Sequence, residues 1–158
     1  MGRRIEYVEQ NVILTCEEIE DIMEYNSIAK NEVGNLSGIQ HLANLLTGLN
    51  PIFNRILKKA ELSITPLKVA TAMFNAYVGL AADEVDGVKQ CLDNGYESLE
   101  AIYDDMKTNN WTKVKMDIPW LEFVDEGLRA VQGNCLVSQY YKNGAWHDLN
   151  KLYAVSAS

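Results

Sequence analysis

Residues 67–82, LKVATAMFNAYVGLAA, run sixteen positions with only Lys68, Thr71 and Asn75 interrupting an apolar surface. Thr65 and Pro66 precede them as an N-cap and a first-turn proline. A helix that is apolar on nearly every side has to be enclosed by protein or by lipid. The run is shorter than the ~20 residues a bilayer core requires, and Lys68 and Asn75 are costly in lipid. It therefore reads as a buried central helix, 66–82, with the other elements packed around it.

Towards the N-terminus the same reading finds more helices. Thr15 and Glu18 have the Thr-x-x-Glu spacing of a capping box, where a helix begins. Ile19, Ile22, Met23, Ala29 and Val33 give it an apolar stripe, and Gly34 suits its end. A second stripe, Ile39, Leu42, Ala43, Leu46 and Leu49, starts near Ser37. A third, Ile52, Phe53, Ile56, Leu57 and Ala60, follows Asn50-Pro51. Residues 3–14 (RRIEYVEQNVIL) lean towards β structure and read as a strand or an extended arm.

Beyond the central helix, Val85, Val88 and Leu92 form a segment closed by Asn94-Gly95, and Leu99, Ile102, Tyr103 and Met106 form the next. Trp111–Ile118 alternates as a short strand or extended link does. Pro119 is expected to open a last helix carrying Trp120, Val124, Leu128 and Val131, with Gly133 ending it. Asn143-Gly144 between β-rich runs is a strong hairpin signal. A two-residue turn there sets Tyr141 opposite Trp146 and Tyr140 opposite His147. The expected fold is thus mainly α: a single domain, 1–158, with a helical bundle over 16–132 around helix 66–82. A small β element is added by 3–14 and by a hairpin over 135–153.

Composition narrows the chemistry. With 158 residues, 47% hydrophobic and 23% charged, the chain buries a core without needing disulfides or metal. Cys16, Cys91 and Cys135 are far apart and form no Cys-x-x-Cys pair, so they read as small buried hydrophobes. The N-terminus has no apolar segment of signal-peptide type, which implies cytoplasmic synthesis. The net charge of −8 is concentrated in acidic stretches at 17–32 and 83–105, which repel phosphate and argue against nucleic-acid binding. No metal-ligand spacing involves His41 or His147, and no nucleotide-binding glycine loop or nucleophile elbow is present. Glu17, Glu20, Asp21 and Glu24 share a helix face but read as a solvated acidic surface. No cofactor, metal or small-molecule substrate is expected.

One segment carries a resemblance. Tyr140–Tyr153 (YYKNGAWHDLNKLY) resembles a β-hairpin element of phage virion and tail proteins, aromatic-x-x-x-Gly-x-Trp-x-x-apolar-x-x-apolar-Tyr. Tyr140, Gly144, Trp146, Leu149, Leu152 and Tyr153 occupy the matching places. The acidic helical segments are similar to small substrates and partners of type VII secretion, although the Trp-x-Gly turn of that group is missing: Trp111 is followed by Thr112-Lys113. The phage resemblance implies a non-enzymatic structural or interaction subunit of a virion or other mobile element. Such a subunit associates with protein partners, above all copies of itself, by strand addition from the hairpin. The candidate interaction residues are Tyr140, Tyr141, Asn143, Gly144, Trp146, His147 and Tyr153. The alternatives are a small acidic binding protein of immunity, anti-defence or secretion-partner type, and an enzyme pairing Cys135 with His147 or His41.

Overall fold

The computed structural model describes residues 4–31, 75, 80–124 and 128–155. In chain order the elements are β1 (Arg4–Thr15), α1 (Cys16–Asn31), α2 (Ala82–Asn109), β2 (Lys113–Phe123), β3 (Leu128–Val131), β4 (Cys135–Lys142) and β5 (Ala145–Tyr153). The five strands form one antiparallel sheet in the order β1-β2-β4-β5, and β3 joins β2 beside the end of β4. This overturns the mainly α bundle. Among the described residues the architecture is an antiparallel sheet accompanied by two helices. The expected central helix 66–82, like the helices expected over 37–60, lies outside the described residues apart from Asn75 and residues 80–82.

Local signals explain how the elements start. Strand β1 passes directly into α1 at the Thr15–Glu18 capping box. Glu18 N–H donates to Thr15 Oγ1 at 3.2 Å, and Thr15 N–H donates to Glu18 Oε1 at 3.0 Å. Helix α2 runs 28 residues and does not stop at Asn94-Gly95. Its end comes at Asn110, which adopts the left-handed conformation (φ 59°) and returns its N–H to the Met106 carbonyl.

Gly95 is inside a helix for a packing reason. A Cβ there would lie 2.0 Å from the Val131 carbonyl oxygen and 2.9 Å from Asn26 Nδ2. The helix backbone is pressed against β3 at this point, and only glycine admits that approach.

The last predicted helix is a strand pair instead. Pro119 and Trp120 lie in β2, and Leu128 and Val131 bound β3. A proline is unusual inside a paired strand because it has no N–H for the ladder. In β2 it falls opposite the interruption between β3 and β4, where the Pro119 carbonyl still accepts from Gln132 N–H at 3.0 Å. The missing donor therefore costs little. Alternation continues through it: Val114, Met116, Ile118 and Trp120 are all fully buried.

Helices α1 and α2 close the free flank of β3. Tyr25 Oη donates to the Arg129 carbonyl at 3.0 Å. Asn26 bonds Val131 as a neighbouring strand would, donating from Nδ2 to its carbonyl at 2.7 Å and accepting its N–H on Oδ1 at 3.3 Å. The core between helices and sheet is filled by Ile19, Ile22, Leu92, Leu99, Ile102, Val114, Met116 and Val137, each inaccessible to solvent. No helix among the described residues is long and apolar enough to cross a membrane.

Candidate interaction surface

The Asn143-Gly144 turn forms as the sequence implies. Both residues have positive φ (53° and 78°), the requirement of a type I′ turn, and Lys142 pairs with Ala145 across it. Tyr141 lies opposite Trp146 and Tyr140 opposite His147, the expected register.

The two pairs serve different faces. Val114 is the partner of both Leu14 and Tyr140, so the Tyr140–His147 pair continues a row that begins in the core. Trp111 leaves the end of α2 and stacks on Tyr140 at 4.4 Å, and Tyr140 stacks on His147 at 5.1 Å. The stack runs from buried Trp111 through half-buried Tyr140 to exposed His147 at the hairpin end.

On the opposite face the rows are Thr15–Lys113–Tyr141–Trp146 and Ile13–Lys115–Gln139–Asp148. Tyr141 meets Trp146 edge-to-face at 5.2 Å. The Lys113 ammonium is 4.2 Å from the centre of the Tyr141 ring and 5.7 Å from that of Trp146, and Lys115 is 5.2 Å from Trp146. Cation–π contacts of this kind contribute roughly 0.5–1 kcal/mol at exposed sites. Neither lysine has a carboxylate partner among the described residues. Ile13, on the same face, is 43% exposed. This is a basic, aromatic strip on an otherwise acidic protein.

The backbone of β5 is open beside it. The Tyr141 carbonyl accepts from Thr112 N–H at 2.9 Å, on the side away from β5. Tyr141 and Trp146 are therefore a pair that exchanges no backbone hydrogen bonds, and Trp146 turns its own N–H and C=O outward. Asp148, two residues on and opposite Gln139, does the same. Among the described residues no strand pairs with that flank of β5. A bulge with Asn150 at φ 52° ends the straight run.

Of the candidate interaction residues, Tyr140, Tyr141, Asn143, Gly144, Trp146 and His147 gather at this end. Tyr153 does not. It is 4% exposed at the other end of β5, opposite Cys135, with its hydroxyl donating to Asp105 Oδ2 at 2.6 Å. Burial alone would raise Asp105, but the bonds from Tyr153 and Lys151 overcome that and hold it below its ordinary value. Lys113 and Lys115 were missed by sequence reasoning. The signal was the Lys-Val-Lys alternation at 113–115, which sets both on one face once the segment is a strand.

Two other places hold concentrated chemistry. The Arg129 guanidinium is buried over the Trp120 ring (3.9 Å), donates to Glu9 Oε1 at 3.2 Å and to Tyr7 Oη at 3.3 Å, while Tyr7 donates to Glu122 at 2.7 Å. Burial and the Glu122 bond push Tyr7 above its ordinary range. These side chains tie β1, β2 and β3 together. A surface groove of about 410 Å3 is lined by Thr15, Cys16, Glu17, Met106, Lys107, Asn110, Trp111 and Thr112. Burial raises the Cys16 thiol there, against the opposing pull of Lys107.

The Cys135–His147 pair is not assembled. Cys135 lies opposite Tyr153, whereas His147 lies opposite Tyr140 near the turn. Burial pushes the Cys135 thiol up to about 12. His41 is outside the described residues. Compared with family models, with curated proteins and with solved structures, the chain shows no match.

Proposed function

We propose that this protein is a non-enzymatic interaction subunit that associates with copies of itself through the β4–β5 hairpin, by strand addition at the free flank of β5. The observation that carries this reading is the outward backbone of Trp146 and Asp148, exposed beside the Tyr141–Trp146–Lys113–Lys115 strip. An unpaired strand edge is a template for another strand, and adjacent side chains supply the selectivity. The likeness of 140–153 to the hairpin of phage virion proteins supports the same reading, because the Gly and Trp positions of that pattern here form the turn and its cross-strand contact.

Sedimentation velocity over a concentration series tests it. Wild-type protein is expected to associate as concentration rises. Asp148→Pro removes one outward N–H without touching the ladder to β4, and is expected to stay monomeric with an unchanged far-ultraviolet spectrum. A wild type that remains monomeric throughout, or an Asp148→Pro protein that associates normally, would overturn the proposal.

A second reading has its own support. Helix α2 exposes Asp83, Glu84, Asp86, Glu97, Glu100 and Asp104, an acidic face suited to a basic partner. It predicts binding that weakens steeply with salt and is indifferent to Asp148→Pro.

A further inference from the structure

We infer that the strand added to β5 is β5 of a second copy, antiparallel across a two-fold axis at His147, with Trp146 of each copy opposite Asp148 of the other. The inference rests on the self-association reading above and specifies its occupant and register.

Hydrogen-bond counting selects the register. Between the Asn143-Gly144 turn and the bulge at Asn150, the outward-facing residues are Trp146 and Asp148. An antiparallel partner must set outward residues against outward residues. Centring on Trp146 yields one bonded pair. Centring on Asp148 also yields one, and brings two like carboxylates face to face. Centring on His147 yields two, Trp146 with Asp148 and its symmetry mate, hence four backbone hydrogen bonds. The contact is self-complementary, as a two-fold interface requires.

Charge selects the same arrangement. Asp148 is on the Lys113–Lys115 face of the sheet, exposed, and accepts from Gln139 Nε2 at 2.8 Å. The register places the carboxylate of each copy beside the Trp146 indole of the other, over which Lys113 and Lys115 lie. Two ammoniums without a carboxylate partner among the described residues thereby meet one, twice in each dimer. At a net charge of −8 per chain, two copies otherwise repel, so this local complementarity has to bring them together.

Two measurements test the pairing. His147 faces its own mate at a position that exchanges no backbone bonds, where Cα atoms approach to about 4.5 Å, within disulfide range. His147→Cys should therefore form a covalent dimer on mild oxidation, and wild type, with its three native thiols, should not. The second uses charge reversal. Asp148→Lys alone, and Lys113→Glu with Lys115→Glu, should each weaken association by about tenfold or more. Mixed together they should form a heterodimer, since one salt contact then keeps its native sign, the other has it reversed, and both attract.

A mixture that stays monomeric, together with a His147→Cys protein that does not cross-link, would overturn the register. If wild type still associates and Asp148→Pro still prevents it, the edge reading survives and the occupant is a different strand. A wild type that never associates removes both.

Discussion

Among the described residues, β3 and β5 both have a flank that no strand covers, and the protein treats the two in opposite ways. The flank of β3 is sealed: Asn26 supplies an amide in place of a strand, Tyr25 caps the Arg129 carbonyl, and Gly95 lets α2 press against Val131. The flank of β5 has no such cover among the described residues, and its backbone donors and acceptors point outward beside a basic aromatic strip. Identical backbone chemistry is a core contact in one place and an open edge in the other. What differs is whether the helices supply polar side chains to complete the ladder.

The hardest way to break the contrast is Gly95→Ala. The new methyl meets backbone at 2.0 Å, so α2 has to move off β3, and the loss should be about 3 kcal/mol or more despite the better helix former. Urea denaturation measures it, and an unchanged midpoint would refute the sealed-edge account. Asn26→Ala should follow at roughly 2 kcal/mol, because it leaves the Val131 N–H and carbonyl buried without a partner.

Asp21, on the same sealing helix, works in the other direction. Burial and the surrounding Glu17, Glu24, Glu20 and Glu18 raise its carboxyl to about 6. A folded-state value above the unfolded one means that the folded protein holds the proton more tightly. This contribution to stability is complete below the unfolded value of 3.8 and is lost as pH rises through about 6. Asp21→Asn should therefore stabilise the protein at pH 7 by about 1 kcal/mol, discounted for partial exposure, with the gain shrinking towards pH 4.5. Thermal melts at the two pH values check the sign. The smallest effect on folding is expected on the open flank. Asp148→Pro should shift stability by less than about 0.5 kcal/mol while removing association, since its N–H points away from β4 and takes no part in that ladder.

The Thr15–Glu18 capping box and the Tyr141–Trp146 register were legible in the chain because each is specified within a few residues. That Tyr140, Tyr141, Asn143, Gly144, Trp146 and His147 lie together around one turn was legible for the same reason. Tyr153 lies apart from them: its register partner is Cys135 and its hydroxyl is held by Asp105, forty-eight residues back in the chain. Trp120, Val124, Leu128 and Val131 have helix-like spacing. They mark instead the end of β2, the connection and β3, a spacing that two paired strands reproduce by chance. Pro119 and Gly95 looked like punctuation, and each is accommodated by a distant carbonyl or strand break that no local pattern encodes.

By itself, then, the sequence determined the local devices: where α1 begins, how the last hairpin turns, and that its aromatic residues pair across it. Only the tertiary structure decided that these devices belong to an antiparallel sheet, that Lys113 and Lys115 join Trp146, and that, among the described residues, β3 is closed while β5 is open. The physical reason is range. Capping and turn geometry depend on bonds between near neighbours, whereas the closure of a strand edge depends on which distant side chain arrives to complete its hydrogen bonds.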